Sequence, residues 1–514
     1  MNLSKSRYTE GLQCPKMLWM KANMPGESER TQADQARLDQ GNDVGDLAMG
    51  YYGPFTEVPF GRKAAMIDQT KALMNANTNV ICEATFAYEG NLCMADILRP
   101  DGDGWALVEV KSSVYHDPKE KKTKDGEHAV DLRHERYLDD MAFQYYVLSH
   151  AGVHVTSVSL MQVDSSYVRD GDIDIHKLFC VHDYTDEVLA KQSGVPETIA
   201  RLQAVADQAD EPDTPIGTQC TNPYACEFIG YCWRDVPERS VFNVFNKATA
   251  AQLYSEGTVT FEDIANSDIE LNDAQKLLVL GEVEKREPQI DHAELKAFLG
   301  TITYPVYFLD FETIQDCIPR WDGVWPYRIV PFQYSVHVED RPGNITDHRE
   351  CLAPEGEDPR RVVAEQLVQD IPDNVCVIVW NDTFEKGRLQ ELAGDFPDLA
   401  PHLLAIRENI VDLMAPFRAK HYYDRSFHGS YSIKAVLPGV FPDDPALNYH
   451  NLDVVHQGGE ASDTYHNLHL QPEGERAAIR EALLKYCGLD TMATVKILDF
   501  LQELESKEGN QIGV

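Results

Sequence analysis

Several features are scarce or missing in the 514-residue sequence, and each absence argues against a class of protein. No stretch approaches the roughly 18 consecutive apolar residues of a membrane span, so no membrane partner is expected. The first residues, MNLSKSRYTEGLQCPK, lack the apolar core of a signal peptide, and a cytoplasmic location is therefore the default expectation. Neither an internal repeat nor a long low-complexity tract is present. The length then indicates a globular protein of about three domains.

Basic residues are in short supply, because 46 Lys and Arg stand against 84 Asp and Glu, a net charge of −38. A surface that binds nucleic acid is normally basic, so this balance argues at first against such a partner. Carboxylates that hold Mg²⁺ nevertheless belong in a nuclease site, and a local basic groove is compatible with an acidic exterior. One short polar stretch supplies local basic charge, although a solvated loop explains it equally well: Lys119, Lys121, Lys122 and Lys124.

The eleven cysteines are an odd number in a long chain that is expected in a reducing compartment, which argues against a disulfide framework. Four of them, Cys82, Cys93, Cys376 and Cys487, lie in or beside hydrophobic segments and are predicted to be buried apolar residues. Three others form a regular C-x5-C-x5-C row inside a polar stretch: Cys220, Cys226 and Cys232. This row predicts a different role from that of the buried thiols.

The hydrophobic patterns indicate an α/β fold in two parts. Strand-like runs NVICEATFAY, LCMADILRP and WALVEVKSSV are followed by a helical pattern, DDMAFQYYVLSHAG, and a further strand, TSVSLMQV, which predicts an α/β unit over 1–235. Short amphipathic segments over 236–300 predict a helical connector. A second α/β domain over 301–514 begins with the buried strand PVYFLDFET.

Asp310 and Glu312 follow the hydrophobic run of that strand. Because side chains alternate along a strand, both carboxylates are expected on one face. Two converging carboxylates repel each other unless a cation lies between them, which suits Mg²⁺ or Mn²⁺. A surface turn after a core strand is the alternative.

Two downstream segments add candidate residues. The run NVCVIVWNDTFEKGRLQEL predicts a buried strand that leads into a helix near Asn381. In LLKYCGLDTMATV, Tyr486 and Asp490 are four residues apart on a predicted helix and therefore share a face. A tyrosine one turn before a metal-binding Asp can orient the water that attacks a phosphate; a half-buried aromatic beside an unrelated acid is the alternative.

Together these segments resemble the three motifs of the DnaQ-like 3′→5′ exonucleases with Tyr in the last motif. Asp310 and Glu312 match the first motif, and the resemblance covers about 300–505. The segment N-D-T-F-E is similar to the second, with Glu385 where Asp is usual, and Tyr486 with Asp490 matches the third. The resemblance implies an RNase H-like domain and two-metal hydrolysis of a phosphodiester. Asp412 is a possible substitute for Glu385, and Lys434 is a candidate phosphate contact.

In the N-terminal part, acidic residues also lie on the predicted strands. Glu83 and Asp96 come first, and Glu109-Val110-Lys111 follows, so that Asp96, Glu109 and Lys111 have the spacing D-x12-E-x-K. On adjacent strands Asp96 and Glu109 are expected to hold a metal. Lys111, on the same face as Glu109, is expected to position water or offset developing negative charge. An E-x-K on an exposed strand edge is common, so the motif alone is weak.

This pattern resembles the PD-(D/E)xK core of RecB-like nucleases. The resemblance implies a restriction-endonuclease-like domain in which Glu83 is a further metal ligand and Gln144, on the following helix, contributes to catalysis. Two departures from the family occur. The stretch GNDVGDLA at 41–48 contains no His, and Leu148 stands where the family has Tyr in Q-x-x-x-Y.

The cysteines extend the resemblance to the iron–sulfur branch of these nucleases. Cys14 precedes the predicted nuclease core and Cys220, Cys226 and Cys232 follow it, the order with which that branch clamps the ends of its nuclease domain. The resemblance implies a 4Fe–4S cluster on these four thiolates. Zinc and four unconnected thiols are the alternatives, although zinc sites usually contain a C-x2–4-C pair and this chain has none.

The order of the parts resembles a bacterial family that fuses a RecB-like nuclease to a DnaQ-like domain. It implies a Mg²⁺- or Mn²⁺-dependent DNA end-processing enzyme with two hydrolytic centres, acting on single-stranded or end-bearing DNA. Two alternatives stay open: an RNA exonuclease, and a nucleic-acid-binding scaffold in which one or both sites are inactive.

Overall fold

The computed structural model describes residues 2–117, 131–452 and 455–511. The basic stretch from Lys119 to Lys124 lies outside these described residues. Contacts divide the chain into two compact units. The first comprises Met1–Val236, Lys247–Glu256 and Asp316–Tyr327; the second comprises Pro237–Asn246, Gly257–Gln315 and Arg328–Val514.

The expected α/β class is confirmed, since helices and strands are mixed in both units. In chain order the strands are β1 Thr56–Glu57, β2 Ile81–Tyr88, β3 Asn91–Asp101, β4 Gly104–Val114, β5 Val155–Val163, β6 Phe179–Asp183, β7 Gln289–Ile290, β8 Val306–Gln315, β9 Ile329–Arg341, β10 Asn344–Leu352, β11 Cys376–Val379, β12 Ile410–Asp412 and β13 Tyr422–Tyr423.

The helices of the first unit are α1 Lys5–Gln13, α2 Pro15–Asn23, α3 Gln32–Met49, α4 Lys63–Asn75, α5 Leu132–His150, α6 Ile175–Leu178, α7 Thr185–Lys191, α8 Val195–Ala206 and α9 Ile229–Trp233. Those that follow are α10 Val241–Val244, α11 Lys247–Ser255, α12 Phe261–Ala265, α13 Asp273–Val283, α14 His292–Leu299, α15 Pro359–Asp370, α16 Asp382–Asp395, α17 Ala400–Glu408, α18 Ala415–Arg418, α19 Ile433–Val440, α20 Gly458–Leu468 and α21 Glu473–Gln511. The segment predicted as a connector, 236–300, is mainly helical, and its residues are divided between the two units.

The sheet of the first unit has the order β1-β2-β3-β4-β5-β6. Strands β2, β3 and β4 are antiparallel neighbours, whereas β4 and β5 run parallel and are joined through α5. Successive residues of β4 face opposite cores: Leu107 packs with Phe143 of α5, and Val108 packs with Val44 of α3. By the same alternation Glu109 faces α5.

The sheet of the second unit has the order β10-β9-β8-β11-β12. Strands β8 and β9 are antiparallel, while β8, β11 and β12 run parallel to one another. Phe308 faces the core that contains Ile497 of α21, and Leu309 faces the core beneath α15 and α16. The same alternation turns Asp310 towards α21. Strand β8 extends past the predicted carboxylates to Gln315 because β9 pairs with it over that length.

Within the described ranges, no helix is both long and apolar enough to cross a membrane.

Gly104, at the start of β4, leaves no room for a side chain. A Cβ there would overlap the carbonyl oxygen of His154, which accepts a hydrogen bond from Trp105 N at 2.9 Å. We expect Gly104→Ala to destabilise the first unit by about 1–3 kcal/mol, because the backbone on both sides must shift. Gly45→Ala in α3 is the matched control. That position has open space and should gain about 0.5–1 kcal/mol of helix stability. Urea unfolding of both variants checks this, and equal midpoints would contradict it.

Candidate active sites

The first candidate site lies where β3 and β4 diverge. Their pairing ends at Ile97 and Val108, and one Asp96 carboxylate oxygen instead accepts a hydrogen bond from Val110 N at 2.8 Å. The fully buried Glu109 lies nearby, and Lys111 Nζ donates to its Oε1 at 2.5 Å. The predicted placement of these residues on adjacent strands, with Lys111 and Glu109 on one face, agrees with the structure.

Gln144 of α5 completes this cluster as its sequence position suggested. Its Nε2 donates to Glu109 Oε2 at 2.6 Å and to Asp140 Oδ1 at 3.2 Å. Lys111 Nζ also donates to Asp140, at 2.9 Å from Oδ2. Asp140 was not singled out from the sequence, although its position one helical turn before Gln144 was a usable signal.

Glu83 lies close enough to Asp96 and Glu109 for their charges to act on it. Within the described residues, no hydrogen bond or ion pair joins its side chain to theirs. The pairing of β2 with β3 skips Glu83 and Asp96, and Glu83 has a left-handed φ of 56°. Burial, together with the negative charges of Asp96 and Glu109, raises the pKa of Glu83 to about 7. The carboxyl group is therefore partly protonated near neutral pH while no metal is bound.

Lys5, at the start of α1, is a second residue that sequence reasoning missed in this site. Its Nζ lies 2.8 Å from Asp96 Oδ1 and 3.2 Å from each carboxylate oxygen of Glu109. No periodicity links residues 91 and 104 positions apart, so no sequence signal pointed to it.

The charged side chains of the first site shift one another's pKa values. Burial alone would raise the pKa of Glu109, but the ammonium groups of Lys111 and Lys5 outweigh it and hold that pKa far below its usual range. Burial and the charge of Glu109 raise the pKa of both Asp96 and Asp140. Four acidic side chains, Glu83 included, thus share two lysines, and Asp96 and Glu109 offer oxygens of the type that Mg²⁺ and Mn²⁺ prefer.

The four predicted cluster cysteines lie together. Cys14, Cys220, Cys226 and Cys232 line one small cavity beside Met17, Met20 and Phe228. Burial raises the pKa of Cys14, and the N–H groups of Met17 and Lys16, which hydrogen-bond its sulfur, offset part of that effect. Gly217 N donates to Cys220 Sγ at 3.5 Å. Backbone N–H groups directed at sulfur are a feature that favours thiolate ligands.

The second candidate site gathers acidic residues from β8, α16 and α21. Oxygens of Asp310 and Glu312 and the sulfur of Cys487 all lie within 4.8 Å of one another. Asp310 and Glu312 have pKa values raised well above normal, first by burial and then by the charge of Asp490. The expected convergence of the first-motif carboxylates with the third motif is therefore present in the geometry.

Two tyrosines hold Asp490. Tyr449 donates its hydroxyl to Asp490 Oδ1 at 2.5 Å, and Tyr486 also hydrogen-bonds this carboxylate. Burial raises the pKa of Asp490 to about 6, and the tyrosine bonds and the charge of Lys434 limit the rise. Tyr449 was missed from the sequence because its segment is 41 residues from Asp490 and carries no motif. Lys434, a predicted phosphate contact, also lowers the pKa of Glu312.

Glu385 is buried on the first turn of α16, and no described residue hydrogen-bonds its Oε2. Burial, and then the charges of Asp412 and Asp382, raise the pKa of Glu385 to about 8. Its charge in turn raises the pKa of Asp310. An unpartnered oxygen in this place is available to a cation.

Asp412, the possible substitute ligand of the sequence analysis, accepts hydrogen bonds from the backbone and from an arginine. Its Oδ1 accepts hydrogen bonds from the N–H groups of Asn381 and Met414, both at 3.0 Å, and its Oδ2 accepts one from Arg418 at 3.0 Å. Asn381, which precedes α16, has a left-handed φ of 79°. Asp412 therefore holds the backbone that positions Glu385, and both of its oxygens already have donors.

Comparisons with known proteins give one family match and two relatives. Residues 307–432 match the model of a domain of unknown function (DUF2779), a stretch that contains Asp310, Glu312 and Glu385 and ends before Tyr486. The uncharacterized protein MG366 homolog of Mycoplasma pneumoniae is 29% identical over 216 residues, 38% of this chain and 32% of the relative. The uncharacterized protein MG366 of Mycoplasma genitalium is 27% identical over 221 residues, 39% of this chain and 32% of the relative. The chain thus matches about a third of the length of these curated relatives.

The raised pKa of Glu385 predicts a pH-dependent instability in metal-free protein. The folded carboxyl group has a pKa of about 8 against an ordinary value of 4.5, so ionisation costs stability progressively as the pH rises between these values. In EDTA, Glu385→Gln should therefore be more stable than the parent by about 1–3 kcal/mol at pH 8.5 and by much less at pH 5.

Urea unfolding at both pH values measures this difference. Glu408→Gln, an exposed position on α17, is the control and should show no such pH dependence. A Glu385→Gln effect of equal size at pH 5 and pH 8.5 would contradict the raised pKa.

Proposed function

We propose that the chain is a Mg²⁺- or Mn²⁺-dependent nuclease with two hydrolytic centres, one in each unit. The observation that carries the proposal is the second site. Asp310, Glu312, Glu385 and Asp490 are buried or half-buried around one place with raised pKa values, and only Lys434, which acts on Glu312 and Asp490, and Arg388, which acts on Glu385, offset part of the rise. Carboxylates gathered in this way repel one another, and divalent cations relieve the repulsion.

In the second centre, those four acids would hold the metal ions. Bound metal would make water a better nucleophile and stabilise the leaving oxygen of a phosphodiester. Tyr486 and Tyr449 fix the orientation of Asp490, and Tyr486 is suited to hydrogen-bonding an attacking water. Lys434 is suited to a phosphate oxygen, because its charge acts on both Glu312 and Asp490.

In the first centre, Asp96, Glu109 and Glu83 would hold the metal. Lys111 is placed to offset negative charge that develops on phosphate, since its Nζ lies 2.5 Å from Glu109 and is steadied by Asp140 at 2.9 Å. Gln144 keeps the Glu109 carboxylate in one orientation through its bond to Oε2. The sheet order and the parallel β4–α5–β5 connection support a restriction-endonuclease-like core here, as the order of the second sheet supports an RNase H-like one.

The cavity lined by Cys14, Cys220, Cys226 and Cys232 would hold a 4Fe–4S cluster in a structural role. The four sulfurs line one cavity, which suits a multinuclear cluster whose thiolates bind different iron atoms. Zinc sites usually contain a C-x2–4-C pair, and this chain has none.

Two substitutions test the two-centre proposal. Lys111→Ala and Asp310→Ala should each remove a separate activity, with losses of about 10²–10⁴-fold, because each removes a group that acts on the reacting phosphate or its metal. The assay uses end-labelled single- and double-stranded DNA and RNA with Mn²⁺. The exposed Lys177→Ala and Glu408→Ala are matched controls and should cleave like the parent.

The pattern of products distinguishes the outcomes. Cleavage of RNA alone would redirect the proposal to an RNA exonuclease. Equal cleavage by the parent and both variants would refute the two centres, and nucleic-acid binding without cleavage would indicate a scaffold.

The cluster predicts a coloured protein. Anaerobically purified protein should be brown and contain about four iron atoms per chain. Cys226→Ser should lose most of this iron. Cys180 is half-buried, and its thiol donates a hydrogen bond to the carbonyl oxygen of Gln162. The control Cys180→Ser should keep its iron. A colourless protein loaded with zinc would refute the cluster, and iron and zinc analysis with the visible spectrum decides between them.

A further inference from the structure

Lys5 lies between the two carboxylates that would bind metal in the first site. Its ammonium group contacts Asp96 at 2.8 Å and both oxygens of Glu109 at 3.2 Å, and its side chain is only 21% exposed. A divalent cation held by Asp96 and Glu109 needs the same oxygens. The lysine and the metal therefore compete for one pair of ligands.

Helix α1 carries Lys5 at one end and leads to a cysteine at the other. Lys5 is the first helical residue after the Ser4 cap, and Cys14 follows the last, Gln13. The nine-residue helix is about 14 Å long. Its position thus depends on what holds its two ends.

The stretch from Cys220 to Cys232, called the cysteine segment below, holds the far end of α1. Gln13 Nε2 donates to the carbonyl oxygens of Gln219 and Tyr224, both at 2.8 Å, and these residues flank Cys220. The middle of α1 packs closely on its neighbours: Tyr8 stacks on Phe143 of α5 with ring centroids 4.7 Å apart. Helix α1 is therefore one packed element between the cysteine segment and Lys5.

We propose that Lys5 is a built-in counterion that competes with the divalent metal for Asp96 and Glu109, and that the cysteine segment keeps it there through α1. Metal affinity at this site is then regulated by the integrity of the four-cysteine cluster, because loosening the segment lets α1 withdraw the lysine. This inference rests on the metal site of the proposed function.

The experiment measures Mn²⁺ binding by the full-length chain by electron paramagnetic resonance, and the melting temperature with and without Mn²⁺. All proteins carry Asp310→Asn and Asp490→Asn, which removes binding at the second site. Lys5→Met should bind Mn²⁺ about tenfold more tightly than this parent, since a competing cation is gone. Its melting temperature should also rise more on adding Mn²⁺.

Three further variants separate charge from packing. Lys5→Arg keeps the charge and should bind Mn²⁺ like the parent. Gln13→Ala breaks the tie to the cysteine segment, and with it the hydrogen bond that Arg136 of α5 donates to Gln13 Oε1 at 3.1 Å. It touches no cysteine or carboxylate and should tighten Mn²⁺ binding about threefold. Combined with Lys5→Met it should add nothing, because both changes act through the same lysine. Lys177→Met, on the surface of the same unit, is the control and should match the parent.

The outcomes distinguish this inference from the proposed function. If the parent binds Mn²⁺ and Lys5→Met binds it no more tightly, competition by Lys5 is refuted and the metal site stands. If Gln13→Ala tightens binding equally in the presence and absence of Lys5, the coupling through α1 is refuted. If neither the parent nor Lys5→Met binds Mn²⁺, the metal site itself fails, and the inference with it.

Discussion

Acidic side chains buried close to one another are the constraint on which both sites depend. A buried carboxylate loses its hydration, and a second one nearby adds repulsion, so each group must find protons, hydrogen bonds or cations. In the first unit two lysines and Gln144 supply this compensation to Glu109. In the second unit the pKa values of Asp310, Glu312 and Glu385 are raised, as are those of Glu83, Asp96 and Asp140 in the first. The two centres therefore share one electrostatic problem, and they differ in that two lysines contact the acids of the first.

The backbone next to each site departs from regular structure. Glu83 has a φ of 56° at the point where β2 and β3 skip a pair, and Asn381 has a φ of 79° immediately before α16. Left-handed backbone at a residue other than glycine costs free energy and persists only where neighbouring contacts enforce it. Asp412 supplies such a contact to Asn381. Both positions adjoin a candidate site, since Glu83 is one of the acids of the first and Asn381 precedes the helix that carries Glu385 of the second.

Contacts between residues that are far apart in the sequence join the parts of the first unit. Helix α1 touches the acidic site through Lys5, α5 through Tyr8 and the cysteine segment through Gln13. Helix α5 likewise carries Asp140 and Gln144 into the site while its apolar face packs on the sheet. The acidic cluster and the four thiols therefore belong to one packed arrangement and are not independent insertions.

The local pattern of the sequence determined most of the strands and helices that carry the two sites. The strands that carry Asp96, Glu109 and Asp310 and the helices that carry Gln144 and Tyr486 follow from apolar periodicity, and spacings of two or four residues put acids on one face. Tertiary structure alone decided the rest. Lys5 enters the first site from 91 residues away, Tyr449 reaches Asp490 across 41 residues, and Asp412 accepts a hydrogen bond from the backbone of Asn381, 31 residues earlier. A sequence records the periodicity of its elements, but which distant side chains meet is set by how those elements pack, and no local pattern contains that information.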